Sequence, residues 1–164
     1  MKSRSLPAAV LALSCAFVPA SAADDPALAR MALCQDSWFD WQKSDPARLK
    51  TFGDHFRKEF SRHDNDAFFL PRNNVSVLGL HVAQAFPDSV GMGVGFSLTV
   101  DAPFGTARRA MEKALGRKLG HCESSDDMQT CELDIAAKRT VMLMAEDSPK
   151  AKQTLVGCYY FYEK

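Results

Sequence analysis

Between Asp25 and Lys43 the apolar residues Leu28, Met31, Cys34, Trp38 and Trp41 fall three or four apart, the spacing that builds one face of an α-helix. Asp25-Pro26 supplies the start, since aspartate caps orphan amides and proline is tolerated at the first helical position. Ser44-Asp45-Pro46 repeats that signal, and Leu49, Phe52, Phe56 and Phe60 form a second stripe. The pattern predicts two antiparallel helices joined by a short turn, with both tryptophans on a core face. Gly53 inside the second stripe costs about 1 kcal/mol against alanine and marks a place of close approach.

Past His63 the apolar period falls towards two. Residues 67–70 and 75–86 read as strands around the turn signal Pro71-Arg72-Asn73-Asn74. From Gly91 to Asp101, Met92, Val94, Phe96, Leu98 and Val100 alternate with Gly91, Gly93, Gly95, Ser97 and Thr99, giving one greasy face and one nearly bare face. A hairpin through Pro87-Asp88-Ser89-Val90 that pairs Phe86 with Met92 aligns the greasy faces. It also gathers Gly79, His81, Ala83 and Ala85 with Gly93 and Gly95 on the bare side. Glycines weaken a strand, so their repetition says that something approaches the backbone there, a packed helix or a partner. His81 is the large polar side chain of that candidate surface.

Asp101-Ala102-Pro103 opens a third helix, with Phe104, Ala107, Ala110, Met111, Ala114 and Leu115 at helical spacing and Gly116 as its stop. Residues 119–122, 131–136, 140–145 and 154–162 read as four further strands. The last holds all three tyrosines, which suits a central strand or a sticky edge. The expected fold is α+β: two N-terminal helices, then β-β-β-α-β-β-β-β, with one helix packed on an antiparallel sheet.

Residues 1–22 have another character. Lys2 and Arg4 precede an apolar run over 6–18, and Ala20-Ser21-Ala22 offers small residues for cleavage, the layout of a secretory leader. The run is too short for a membrane span. The expectation is a signal peptide over 1–22 and one α+β domain over 23–164, placed in a bacterial periplasm, with full secretion as the alternative. Lipid anchoring through Cys15 is the other alternative. It is disfavoured because Ala12-Leu13-Ser14 lacks a large aliphatic side chain three places before the thiol.

Of the 20 basic residues Lys2 and Arg4 go with the leader, leaving 18 against 20 acidic ones and a formal charge of −2. Such balance argues against nucleic acid as a partner. Four cysteines remain, an even set for an oxidising compartment. The polar stretch from Glu123 to Thr130 reads as a loop that Cys122 and Cys131 would close. Cys34 is then left to join Cys158, tying the first helix to the last strand.

Motifs for chemistry are scarce. No Cys-x-x-Cys, Gly-x-Ser-x-Gly or His-Glu-x-x-His occurs. The glycine alternation never opens into a helix as a dinucleotide loop must. A calcium loop counted from Asp64 would put Phe69 and Val75 where glycine and glutamate belong. No metal or other cofactor is expected. Arg108, Arg109, Lys113, Arg117 and Lys118 form a basic cluster on the third helix, a candidate surface for an acidic partner. The reading that follows is a non-enzymatic, disulfide-stapled binding protein that binds or inhibits another protein of the envelope. A hydrolase of cell-wall or small-molecule substrates and an envelope-assembly accessory factor are the alternatives.

Overall fold

The structure, a computed structural model, describes residues 23–64, 66–90, 93–125 and 127–160. The leader over 1–22, Met92 with its expected pairing, and Phe161 and Tyr162 lie outside the described residues.

Helix α1 (Pro26–Ala32) starts where the sequence places it, with Asp25 Oδ1 accepting the Ala27 and Leu28 amides. It does not run on to Lys43. Cys34 takes a left-handed backbone, φ +57°, and the amides of Gln35 and Asp36 donate back to the Arg30 carbonyl. Ser37 then caps a separate helix, α2 (Trp38–Ser44), through a bond from the Asp40 amide. The stripe looked continuous because the break is as long as one turn, so residues on either side still face the sheet. Asp45 caps α3 (Pro46–Glu59) as expected.

The sheet is antiparallel and dominates the molecule. Its strands are β1 (Phe60–Arg62), β2 (Phe69–Pro71), β3 (Ser76–Val77), β4 (Leu80–Phe86), β5 (Ser89–Val90), β6 (Gly93–Val100), β7 (His121–Ser125), β8 (Met128–Ala136), β9 (Arg139–Glu146) and β10 (Thr154–Tyr160). They are ordered β1-β2-β4-β6-β10-β9-β8-β7, with β3 beside β4 and β5 beside β6. Helix α4 (Phe104–Leu115) joins β6 to β7 and ends at left-handed Gly116. Asp101 does not cap it. The N-cap is Pro103, without a side-chain bond, and Asp101 instead meets His81 and Gln153.

Three expectations about strands change. The run 75–86 is a hairpin rather than one strand, turning at Leu78-Gly79, both with positive φ. Two left-handed residues are what a tight hairpin needs. Leucine is a poor choice for that backbone, and the Asp24 carboxylate supports the turn by accepting the Gly79 amide and the Ser76 hydroxyl. The β4–β6 register is also different. Phe86 pairs with Ser97, and a bulge at Ala83 separates Val82↔Val100 from Gln84↔Thr99. The bulge inverts the pleat, so Ala85 joins Val82 on the core face while Phe86 crosses to the other side. Finally, the polar stretch over 123–130 is strand for most of its length, and Cys122 stands directly opposite Cys131.

All four helices lie on one side of the sheet, where Phe96, Leu98, Val100, Val141, Leu143, Val156 and Cys158 are buried beneath them. Both disulfides have the expected pairing, Cys34–Cys158 and Cys122–Cys131. Strand β10 is central, hydrogen-bonded to β6 and β9. Gly157 keeps it close to its neighbour, since a Cβ there would stand 2.5 Å from the Phe96 carbonyl oxygen.

The Cys34–Cys158 link spans 124 residues of sequence, and by loop-closure entropy such a link contributes nearly 5 kcal/mol (about 4.9). Replacing both cysteines by alanine should lower unfolding free energy by about 3–5 kcal/mol in denaturant titration. The same change at Cys122 and Cys131, which enclose a short loop, should cost about 2–3 kcal/mol. Equal losses at the two links would contradict this ranking.

Candidate functional site

A cleft of about 720 Å³ opens between α1, α3 and the turn before α2, lined by Asp25, Arg30, Trp41, Arg48 and His55 among others. Its charged groups are largely occupied with one another. Arg30 grips Asp36 through two bonds of 2.7 and 2.9 Å, and Arg48 adds two of 3.0 Å while lying 4.4 Å above the Trp41 ring. The Arg30 hydrogen bonds foremost hold the Asp36 carboxyl below the usual carboxylate range. His55 Nε2 lies 2.6 Å from Asp25 Oδ2, whose other oxygen caps α1. An aspartate–histidine pair is two of the three members of a hydrolytic triad. The nearest hydroxyl along α3, that of Thr51, donates to the Ala47 carbonyl instead.

The residues singled out in the sequence do not gather. His81 is exposed at the far end of β4, where its Nδ1 lies 2.7 Å from Asp101 Oδ2. Gly93 and Gly95 do share one face, and the chain itself covers them. A Cβ on Gly93 would fall inside the Tyr159 ring, and one on Gly95 would meet the Cys158 carbonyl oxygen at 2.1 Å and Val90 at 2.6 Å. The segment over 87–90 folds onto this part of the sheet, Val90 is buried, and Ser97 Oγ donates to the Ser89 carbonyl at 2.7 Å. Close packing explains the glycines, supplied by a short strand and a tyrosine rather than by a helix.

The basic cluster divides. Arg108 Nε and Lys118 Nζ both turn to Glu112, at 3.0 and 2.7 Å, and the Leu119 amide donates to the same carboxylate. Arg109 bonds Thr106. Lys113 and Arg117 are exposed without an ion pair among the described residues. The Lys118 bond, helped by Arg108 and the Leu119 amide, pulls the Glu112 carboxyl down to about 2.

What sequence reading missed is the side of the sheet that the helices leave open. Strand registers put Phe86, Leu155, Tyr159, Met142 and Met144 on that side, together with Thr99 and Thr130. All are only half-buried, and Met128 at its margin is 39% exposed. Towards β7 the same side carries Glu146, Glu132, Asp134 and Glu123. No lysine or arginine projects from it along β4, β6, β7, β8, β9 or β10 among the described residues. The signal was distributed over six strands, and only the cross-strand register assembles it.

Comparison with protein families, with curated proteins and with solved structures finds no match for this chain.

Two outcomes check this account. A carboxyl whose folded pKa is depressed stabilises the fold above its ordinary value near 4.5 and loses that contribution as pH falls. Melting temperature should therefore drop between about pH 4.5 and 2, and Glu112→Gln should flatten part of that drop while lowering the neutral-pH melting temperature. Gly95→Ala, which drives a methyl against backbone and Val90, should cost roughly 1–3 kcal/mol. A neutral result in thermal denaturation would mean that the 87–90 segment does not lie where the structure puts it.

Proposed function

We propose that this chain is a non-catalytic binding domain of the cell envelope that holds another protein, in the manner of an inhibitor, on the open face of its sheet. One observation carries the reading. A strip of large apolar side chains, Leu155, Met142 and Met144, lies half-exposed on a rigid sheet, bounded by Tyr159, which packs over Gly93, and by Phe86, whose ring centroid is 6.2 Å from that of Phe68. Monomers rarely leave such contiguous patches bare unless they are used. Methionine suits the role, because its flexible thioether adapts to a partner's contour. The disulfides and the absence of any described helix long and apolar enough to cross a membrane agree with work in an oxidising compartment.

The hydrolase reading would place its chemistry at His55 and Asp25 in the cleft. It is the weaker one, because Asp25 already caps a helix and His55 meets no serine, threonine or cysteine side chain among the described residues.

Met142→Gln with Met144→Gln removes apolar area while keeping shape and charge. Each buried methionine side chain is worth about 1.5–3 kcal/mol, so the double variant should bind the partner at least about tenfold more weakly and melt near the wild-type temperature. The measurement is affinity capture from envelope extract, identification of the captured protein, and titration of both forms against it. Unchanged affinity in a folded double variant would exclude this face.

A further inference from the structure

We infer that the open face selects a cationic protein surface, one that presents apolar side chains to Leu155, Met142 and Met144 and lysines or arginines to Glu123, Glu132 and Asp134. This rests on the reading of that face as the binding surface and adds the chemistry of what it binds. Three carboxylates elsewhere are neutralised within the chain. Asp36 is held by Arg30 and Arg48, Asp54 by Lys50 and Arg57, and Glu112 by Arg108 and Lys118. The four carboxylates beside the apolar strip have no ion-pair partner among the described residues, and only Asp134 has a neutral one, the Thr140 hydroxyl at 2.6 Å.

Their spacing sharpens the point. Glu132 and Asp134 lie two residues apart on one side of β8, and Glu123 is diagonal to Glu132 across the β7–β8 pair. Side chains so related on one sheet face stand roughly 7–8 Å apart, near enough for like charges to repel. The arrangement raises the free energy of the isolated chain, and cations from outside relieve it. The carboxylates are at the margin while the apolar strip is central, the usual layout of a protein interface with a hydrophobic centre and a polar rim. Rim charges of one sign speed the encounter with an oppositely charged partner and reject like-charged ones. An acidic partner at this face is therefore disfavoured. The exposed base Lys113 belongs to α4, on the other side of the sheet, and Arg117 follows the end of that helix.

The test uses defined probes on the full protein: a short peptide alternating leucine and lysine, and its counterpart alternating leucine and glutamate. Binding is followed by amide chemical shifts and titration calorimetry at low and high salt. The lysine peptide should shift residues of β8, β9 and β10, weaken on adding salt, and bind the variant E123Q/E132Q/D134N about tenfold less tightly, as the loss of three rim charges at about 0.5 kcal/mol each implies. The glutamate peptide should bind far less. Equal binding of both peptides, or no effect of the amide variant, would overturn the charge inference while leaving the face as a binding surface. Shifts confined to other parts of the molecule would overturn both. Sedimentation of the free protein gives one more outcome: a dimer that Met144→Gln dissociates would make the occupant a second copy and refute a cationic partner.

Discussion

Cys34 reaches Cys158 where the chain turns left-handed at that cysteine, and the end of α1 is fixed to the central strand by that link. A helix running straight through Cys34 would leave the chain between α1 and α2 lying along the sheet without the sharp reversal. The reversal frees the Arg30 carbonyl to accept two amides and delivers Asp36 to the guanidiniums of Arg30 and Arg48. It also brings Ser37 into place as the cap of α2, whose Trp38 and Phe39 pack on Tyr160 of the central strand. Arg139 at the start of β9 closes the arrangement by donating to the Cys34 carbonyl at 3.2 Å. Strand β10 thus receives α1 through a covalent bond, α2 through aromatic contact and β9 through its ladder. Removing the last strand removes the seat of the whole layer.

That constraint explains which parts of the architecture could be read from the sequence. Apolar stripes at helical spacing located α3 and α4 and both ends of the helical stretch over 26–44, but a stripe reports only which side faces the core. It cannot separate one helix from two that share a direction, and the informative residues were polar: Asp36, and Ser37 three places before Asp40. The alternation over 93–100 identified β6 and its two faces correctly, whereas its register against β4 failed. Expected pairing assumed an unbroken pleat, and the bulge at Ala83 let Val82 and Ala85 both reach the core. Strand β7 was placed two residues early, over 119–122, because its own residues are all exposed and the apolar signal came from the buried Leu119 before it. It is an edge held by its ladder to β8 and by the Cys122–Cys131 link, which the even cysteine count did reveal.

The same logic separates the glycine row from the functional surface. Bare backbone at Gly93, Gly95 and Gly157 lets Tyr159 and the 87–90 segment lie flat, and these fill the end of the open face that the sequence marked as a platform. Covering one end fixes the extent of what is left. The uncovered part begins at Leu155 and runs across β9 to β8, where apolar side chains give way to carboxylates. Its composition is invisible in any one strand, since each contributes two or three residues in alternation with core positions. Binding surfaces on sheets are in this sense tertiary features, legible only when register is known.

The paired acids of the helical side and the acids of the open face differ in what they hold together. On the helical side two acids are paired across segments that would otherwise be independent: Asp36 ties α1 to α3, and Glu112 ties α4 to the residues leading into β7. Each such carboxylate is explained by what it stabilises. The acids of the open face form no ion pair among the described residues, only Asp134 accepting a hydrogen bond, from the Thr140 hydroxyl of β9, and Glu123, Glu132 and Asp134 repel one another. Exposed edge strands are protected well enough by charges of either sign, so protection alone does not account for a run of one sign without a single lysine. A surface that keeps uncompensated charge of one sign beside bare apolar groups stores a preference for its opposite, and the preference is expressed only when another molecule arrives.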